Sequence, residues 1–221
     1  MRNFSKLLLL FLFTPLLYAF VAKSFLFLFS HFVELWSNWF LYGALLYVIL
    51  YVALLWAKLG FLETFEHEMA HMVMGYLFFN NAKAFVASWR KEGFVQFSRI
   101  PNTLIILAPY FLPVFTLPFL FAKPFVTKAA HNFVNFFLGL TLAFHLISML
   151  REFGPKQSDI FRVGLKSSLI IVFVFNCIFA VITLGFALDQ YAHLGAYFKD
   201  AFVAAWQIYA WVFAKVFSSS A

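Results

Sequence analysis

The sequence predicts an all-α polytopic membrane protein with six or seven transmembrane helices and one short membrane-associated β-hairpin. Three observations carry this expectation. The 221 residues are 64% hydrophobic and 11% charged, with a mean hydropathy of +0.90. A soluble domain is nearer half apolar and a quarter charged. The apolar residues also fall in runs close to 20 residues, the length that crosses a bilayer as a helix. Finally, one stretch breaks the pattern by alternating, as a strand does.

The elements follow in order. "MRNFSK" followed by "LLLLFLFTPLLYAFVA" has the basic start and apolar body of a secretory signal. The chain stays hydrophobic to its end, so an uncleaved first segment, about Leu7 to Phe29 and interrupted by Lys23, is expected. Further runs cover about Asn38 to Ala57, Leu59 to Phe79, Asn102 to Ala122, Lys128 to Leu150, Ile160 to Leu188 and Gly195 to Phe217. In lipid the backbone must satisfy its own hydrogen bonds, so these runs are expected to be helical. The fourth carries Pro109, Pro113 and Pro118, each of which removes a donor and tends to kink a helix. "AKAFVASWRKEGFVQFSR", Ala82 to Arg99, alternates, is rich in Val, Phe and Trp, and breaks at "RKEG", which predicts a hairpin. It cannot lie open in hydrocarbon, so it belongs at the membrane surface or against the helices.

The whole chain, 1–221, reads as a single integral membrane domain. A formal net charge of +7 in a soluble protein would suggest nucleic acid. Here Lys and Arg sit mostly in short loops, where they anchor helix ends, so the expected partner is the lipid bilayer and not nucleic acid. The clusters at Lys83 to Arg99 and Arg151 to Lys166 are expected on one, cytoplasmic, side of a multi-pass protein of the cell membrane. Trp36, Trp39, Trp56 and Trp206 read as interface aromatics, and His31, His131 and His193 as interfacial groups near span ends. The single cysteine, Cys177, excludes an intrachain disulfide framework.

Within the third run lies "FEHEMAHMVMG", Phe65 to Gly75. His67 and His71 are four apart and so share one helix face, where one metal ion can take a nitrogen from each. Glu68 stands about 100° further round, able to flank the metal without binding it. H-E-x-x-H on a helix is a zinc hydrolase signature, with two ligands and a general base. Ionisable groups in membrane segments are rare and usually functional. A catalytic zinc site needs a third protein ligand. Glu92, His131, Glu152, Asp189, His193 and Asp200 are available, but Asp159 and His145 stand out. Asp159 follows the Gly154–Pro155 loop at a helix start, where Ser158 could cap the helix and leave the carboxylate free. His145, alone in an apolar helix, needs a partner of some kind, either a metal or a neighbouring helix.

H-E-x-x-H in a polytopic protein, a hairpin directly after it and a later helix-start aspartate together resemble the site-2 protease family of intramembrane zinc metallopeptidases. The resemblance covers about 59–172. It implies Zn2+ as cofactor, His67, His71 and Asp159 as its ligands, and Glu68 as the catalytic glutamate. It further implies a hairpin that holds substrate by strand addition, and Asn132 and Asn135 as groups that bind substrate backbone. The substrate would be a membrane protein cut in or near a transmembrane segment. Asp159 is followed by Ile160 where the family usually has glycine. Two other readings stay open. One is a prenyl-protein endopeptidase, also H-E-x-x-H but with a glutamate as third ligand, for which Glu92 and Glu152 are available. The other is a metal-binding transporter, or a membrane scaffold without turnover.

Overall fold

Long apolar runs fold as helices here, and the helices break where proline or glycine requires it. The computed structural model describes residues 2–53, 60–88 and 93–218, with side chains described from Thr14 to Lys215 within those segments. In order come α1 (Arg2–Ser30), α2 (Phe32–Leu35), α3 (Trp39–Ala53), α4 (Gly60–Leu77), β1 (Ala82–Ala87), β2 (Gly93–Phe97), α5 (Thr103–Leu107), α6 (Leu117–Ala122), α7 (His131–Glu152), α8 (Ser158–Val163), α9 (Leu165–Ala187) and α10 (Tyr191–Ser218). The chain is therefore mostly helical with one small antiparallel sheet. Two of the described helical stretches, Lys128–Glu152 and Leu165–Ala187, are long and apolar enough to cross a membrane. Trp56, Glu92 and the centre of the expected hairpin turn lie outside the described residues.

Two expected runs are corrected. The fourth is not one helix. It divides into α5, a 3-10 turn at Ala108–Tyr110, an irregular stretch, and α6. Three prolines in ten residues remove too many donors for an unbroken ladder. The sixth run splits at Gly164, whose φ of +95° lies in the left-handed region that glycine enters without a Cβ clash. Ile160 and its neighbours thus form a separate short helix, α8, ahead of α9.

The hairpin pairs Ala82 with Phe97, Phe85 with Val95 and Ala87 with Gly93, with an irregularity between Ala82 and Ala84. Both strands pack on α4. One core joins α1, α3, α6, α7, α9 and α10 through residues such as Phe20, Phe40, Leu120, Leu138, Val181 and Ala201. A second surrounds α4 and holds Ala70, Ile105, Tyr110, Phe111, Ile160 and Val172. α3 and α7 pack closely along their length. A Cβ on Gly43 would stand 1.8 Å from the Phe136 carbonyl oxygen, and one on Gly139 would stand 1.9 Å from that of Phe40. Small residues at such crossings let backbones approach where lipid supplies no hydrophobic drive.

Candidate metal centre

α4 carries the H-E-x-x-H residues, and helical spacing brings the two imidazoles face to edge with ring centroids 5.0 Å apart. α8 brings the third group. One oxygen of Asp159, Oδ2, lies 3.3 Å from His67 Nε2 and 3.4 Å from His71 Nε2. One ligand atom from each of the three residues falls within 4.8 Å of the others. α8 is seated by Ile160, which is fully buried. No side chain caps this helix; Gln157, and not Ser158, occupies the N-cap position, so neither Ser158 nor Asp159 serves as a cap.

Each imidazole is held from behind. His67 Nδ1 lies 3.1 Å from Glu152 Oε2 at the end of α7. His71 Nδ1–H donates to the Ile105 carbonyl at 2.8 Å. That carbonyl is free to accept because of the sequence: its partner in a continuous helix would be the N–H of residue 109, which is proline. It accepts one bond from Ala108 N–H, which ends α5, and has a second lone pair for His71. Outer hydrogen bonds of this kind fix the tautomer and orientation of metal-binding histidines. Both rings present Nε2 to the same oxygen of Asp159, so two imidazoles and a carboxylate form a donor set that could hold a metal ion. Burial works to raise the Asp159 pKa. Its hydrogen bonds with His67 and His71 outweigh that and hold the carboxyl well below its ordinary range.

Glu68 is buried and borders the same cavity, which has a volume of about 570 Å³. Gly93, the first residue of β2, closes over it. A Cβ there would come within 2.7 Å of both Glu68 Oε1 and Thr64 Cγ2. The cavity is bounded by β2 residues Gly93, Phe94, Val95 and Phe97 on one side and by Glu152 and Arg162 on another.

Other acids and histidines of the sequence lie elsewhere. His145 is buried, with Nδ1 3.4 Å from Glu66 Oε1, and takes no part in the His67–His71–Asp159 group. Glu63 pairs with Arg151. Together with His67–Glu152, these contacts form a polar seam between α4 and α7 that sequence reasoning left without a role. The nearest signal was the spacing of Glu63, Glu66 and His67 along one helix face. Asn132 and Asn135 are not brought to the cavity. Asn135 is buried near the start of α7, accepting from Lys123 Nζ at 2.6 Å and donating to the Ala187 carbonyl at 2.8 Å. His31 Nε2 meets His193 Nδ1 at 3.3 Å, and His131 lies beside Asp189.

No family model, no curated protein and no solved structure matches this chain.

Proposed function

We propose that the chain is an intramembrane zinc metalloendopeptidase that cleaves membrane-protein substrates in or near a transmembrane segment. The observation that carries this reading is the single Asp159 oxygen shared between the Nε2 atoms of His67 and His71, with Glu68 in the same cavity. A zinc ion held by these three residues would supply the Lewis acid that acidifies water and polarises a peptide carbonyl. Glu68 then takes the proton released as water adds to the carbonyl and returns it to the departing amine.

Glu152 bears on the alternative of a prenyl-protein endopeptidase, which needs a glutamate ligand. It lies on the Nδ1 side of His67, the nitrogen turned away from Asp159, which suits an orienting group and not a ligand. In this reading α1, α3, α4, α7, α9 and α10 cross the bilayer, and the proline-broken segment from α5 to α6 enters it against the site. That arrangement accords with six or seven passes, since irregular backbone is tolerated in a membrane where protein surrounds it. A helical peptide bond is shielded by its own hydrogen bonding, so the substrate must unwind locally. β2 borders the cavity and offers replacement pairing to the extended segment.

The test is Glu68→Gln in the full chain, purified in detergent and co-expressed with single-pass membrane proteins. Zinc content should remain at the wild-type level while cleavage falls by about 10²–10⁴-fold, the worth of a general base. Cleavage at the wild-type rate refutes the peptidase mechanism. Wild-type protein that carries no zinc favours the scaffold alternative.

A further inference from the structure

Two of the three metal-binding groups have an outer partner: His67 has Glu152, and His71 has the Ile105 carbonyl. Among the described residues Asp159 has none. Its side chain meets the two imidazole nitrogens it would share a metal with, both through Oδ2. A carboxylate ligand swings freely about its side-chain torsions unless its other oxygen is held, and metal-binding carboxylates are commonly hydrogen-bonded for that reason.

Against His67 packs a tyrosine whose hydroxyl has the opposite deficiency. Tyr110 is fully buried in the turn that the prolines create. Its ring meets the His67 ring edge-on, with centroids 5.5 Å apart, and Phe153 is packed against it in the same manner at 5.7 Å. The turn is pinned from α9, where Asn176 Nδ2 donates to the Tyr110 carbonyl at 2.7 Å. Among the described residues the Tyr110 hydroxyl has no hydrogen-bond partner. A buried, unpaired hydroxyl is costly, and native proteins rarely keep one without use. The His67 ring that Tyr110 packs against meets Asp159 Oδ2 through its Nε2 at 3.3 Å, so this packing brings the phenol to the edge of the group. Tyr110 is not among the residues that line the cavity.

We propose that Tyr110 is a positioning residue whose hydroxyl donates to the free oxygen of Asp159 when the site is loaded, holding the third ligand as Glu152 and Ile105 hold the first two. The chemistry is complementary. A phenol supplies one donor, a carboxylate oxygen not engaged with metal is an acceptor, and a charge-assisted O–H···O⁻ bond is among the stronger hydrogen bonds. The pairing satisfies both groups at once. It rests on the zinc reading above.

The experiment is Tyr110→Phe, which keeps the ring and removes the oxygen, made in the full chain and in an Asp159→Asn background. Zinc affinity is measured by chelator competition on protein in detergent, alongside thermal unfolding of the metal-free form. Affinity should fall about tenfold, the lower end for an outer partner, while the metal-free midpoint holds or rises. In the Asp159→Asn background the same change should cost no further affinity. A Phe variant that binds zinc as tightly as wild type overturns the proposal, and so does an equal loss in both backgrounds. A lowered metal-free midpoint assigns Tyr110 a packing role and also overturns it. Wild-type protein that binds no zinc removes the zinc reading itself, and the proposal falls with it; the other outcomes leave that reading standing.

Discussion

Removing the Glu152 carboxylate tests how the site is held. Glu152 Oε2 lies 3.1 Å from His67 Nδ1, and the two side chains are 25% and 16% exposed. Loss of an outer partner costs about 10–100-fold in metal affinity, or about 1.4–2.8 kcal/mol at 1.4 kcal/mol per tenfold. A quarter-exposed carboxylate leaves room for water to replace it, which puts Glu152→Ala near the lower limit, at about tenfold. Glu152→Gln keeps a neutral acceptor for Nδ1–H and loses only the charge, so about threefold is expected. The assay is zinc competition against a chelator of known affinity, with metal content checked by elemental analysis. Asp159→Asn, measured in parallel, should lose far more. Wild-type affinity in Glu152→Ala refutes the orienting role. If instead Glu152→Gln abolished binding and Asp159→Asn did not, glutamate would be the third ligand and the peptidase would be of the other kind.

Three further outcomes are expected. Gly139→Ala should destabilise the fold by about 3 kcal/mol, the upper end for overpacking, because the new methyl meets the Phe40 carbonyl and not a side chain that can turn aside; an unchanged unfolding midpoint in detergent refutes the close α3–α7 crossing. Gly93→Ala should leave zinc affinity unchanged and lower turnover, since its Cβ would displace Glu68; unchanged turnover refutes the closure of β2 over that carboxylate. Partial burial works to raise the Asp189 pKa, but the hydrogen bond with Lys123, 3.2 Å away, holds it below the ordinary carboxylate range. A carboxyl with a depressed folded pKa stabilises above its unfolded value of about 3.9, and that contribution is lost as pH falls through the folded value. Asp189→Asn should therefore flatten the acid side of a plot of unfolding midpoint against pH, and an unaltered acid side refutes the coupling.

The sequence made some parts of this molecule legible and hid others, for identifiable reasons. α1, α3, α7 and α10 follow from apolar runs, because length and composition suffice for a helix that satisfies its own backbone. The pairing of His67 with His71 follows from helical period alone. Asp159 was a candidate because a loop placed it at a helix start, but its approach to α4 depends on the packing of α8 through Ile160, which no local pattern records. The prolines of the fourth run gave warning of a bend. They did not reveal that the bend would divide the run, or that the carbonyl it releases would serve His71. Glu63 and Glu66 carry no expected role, and Glu152 is expected only as a possible ligand, because their partners lie on a helix more than seventy residues away in the chain. Asn135, given a substrate role only by the family resemblance, accepts a hydrogen bond from Lys123.

Pro109 places helix continuity and site geometry in opposition. Replacing it with a stronger helix former would restore an N–H that competes for the Ile105 carbonyl, and the more regular segment would take from His71 the acceptor that aims it. A substitution chosen for thermostability could thus succeed by its own measure and still misdirect a nitrogen of the proposed metal site. In the proposed centre the weak point in the helix is a working part, and engineering that repaired it would do so at that centre's expense.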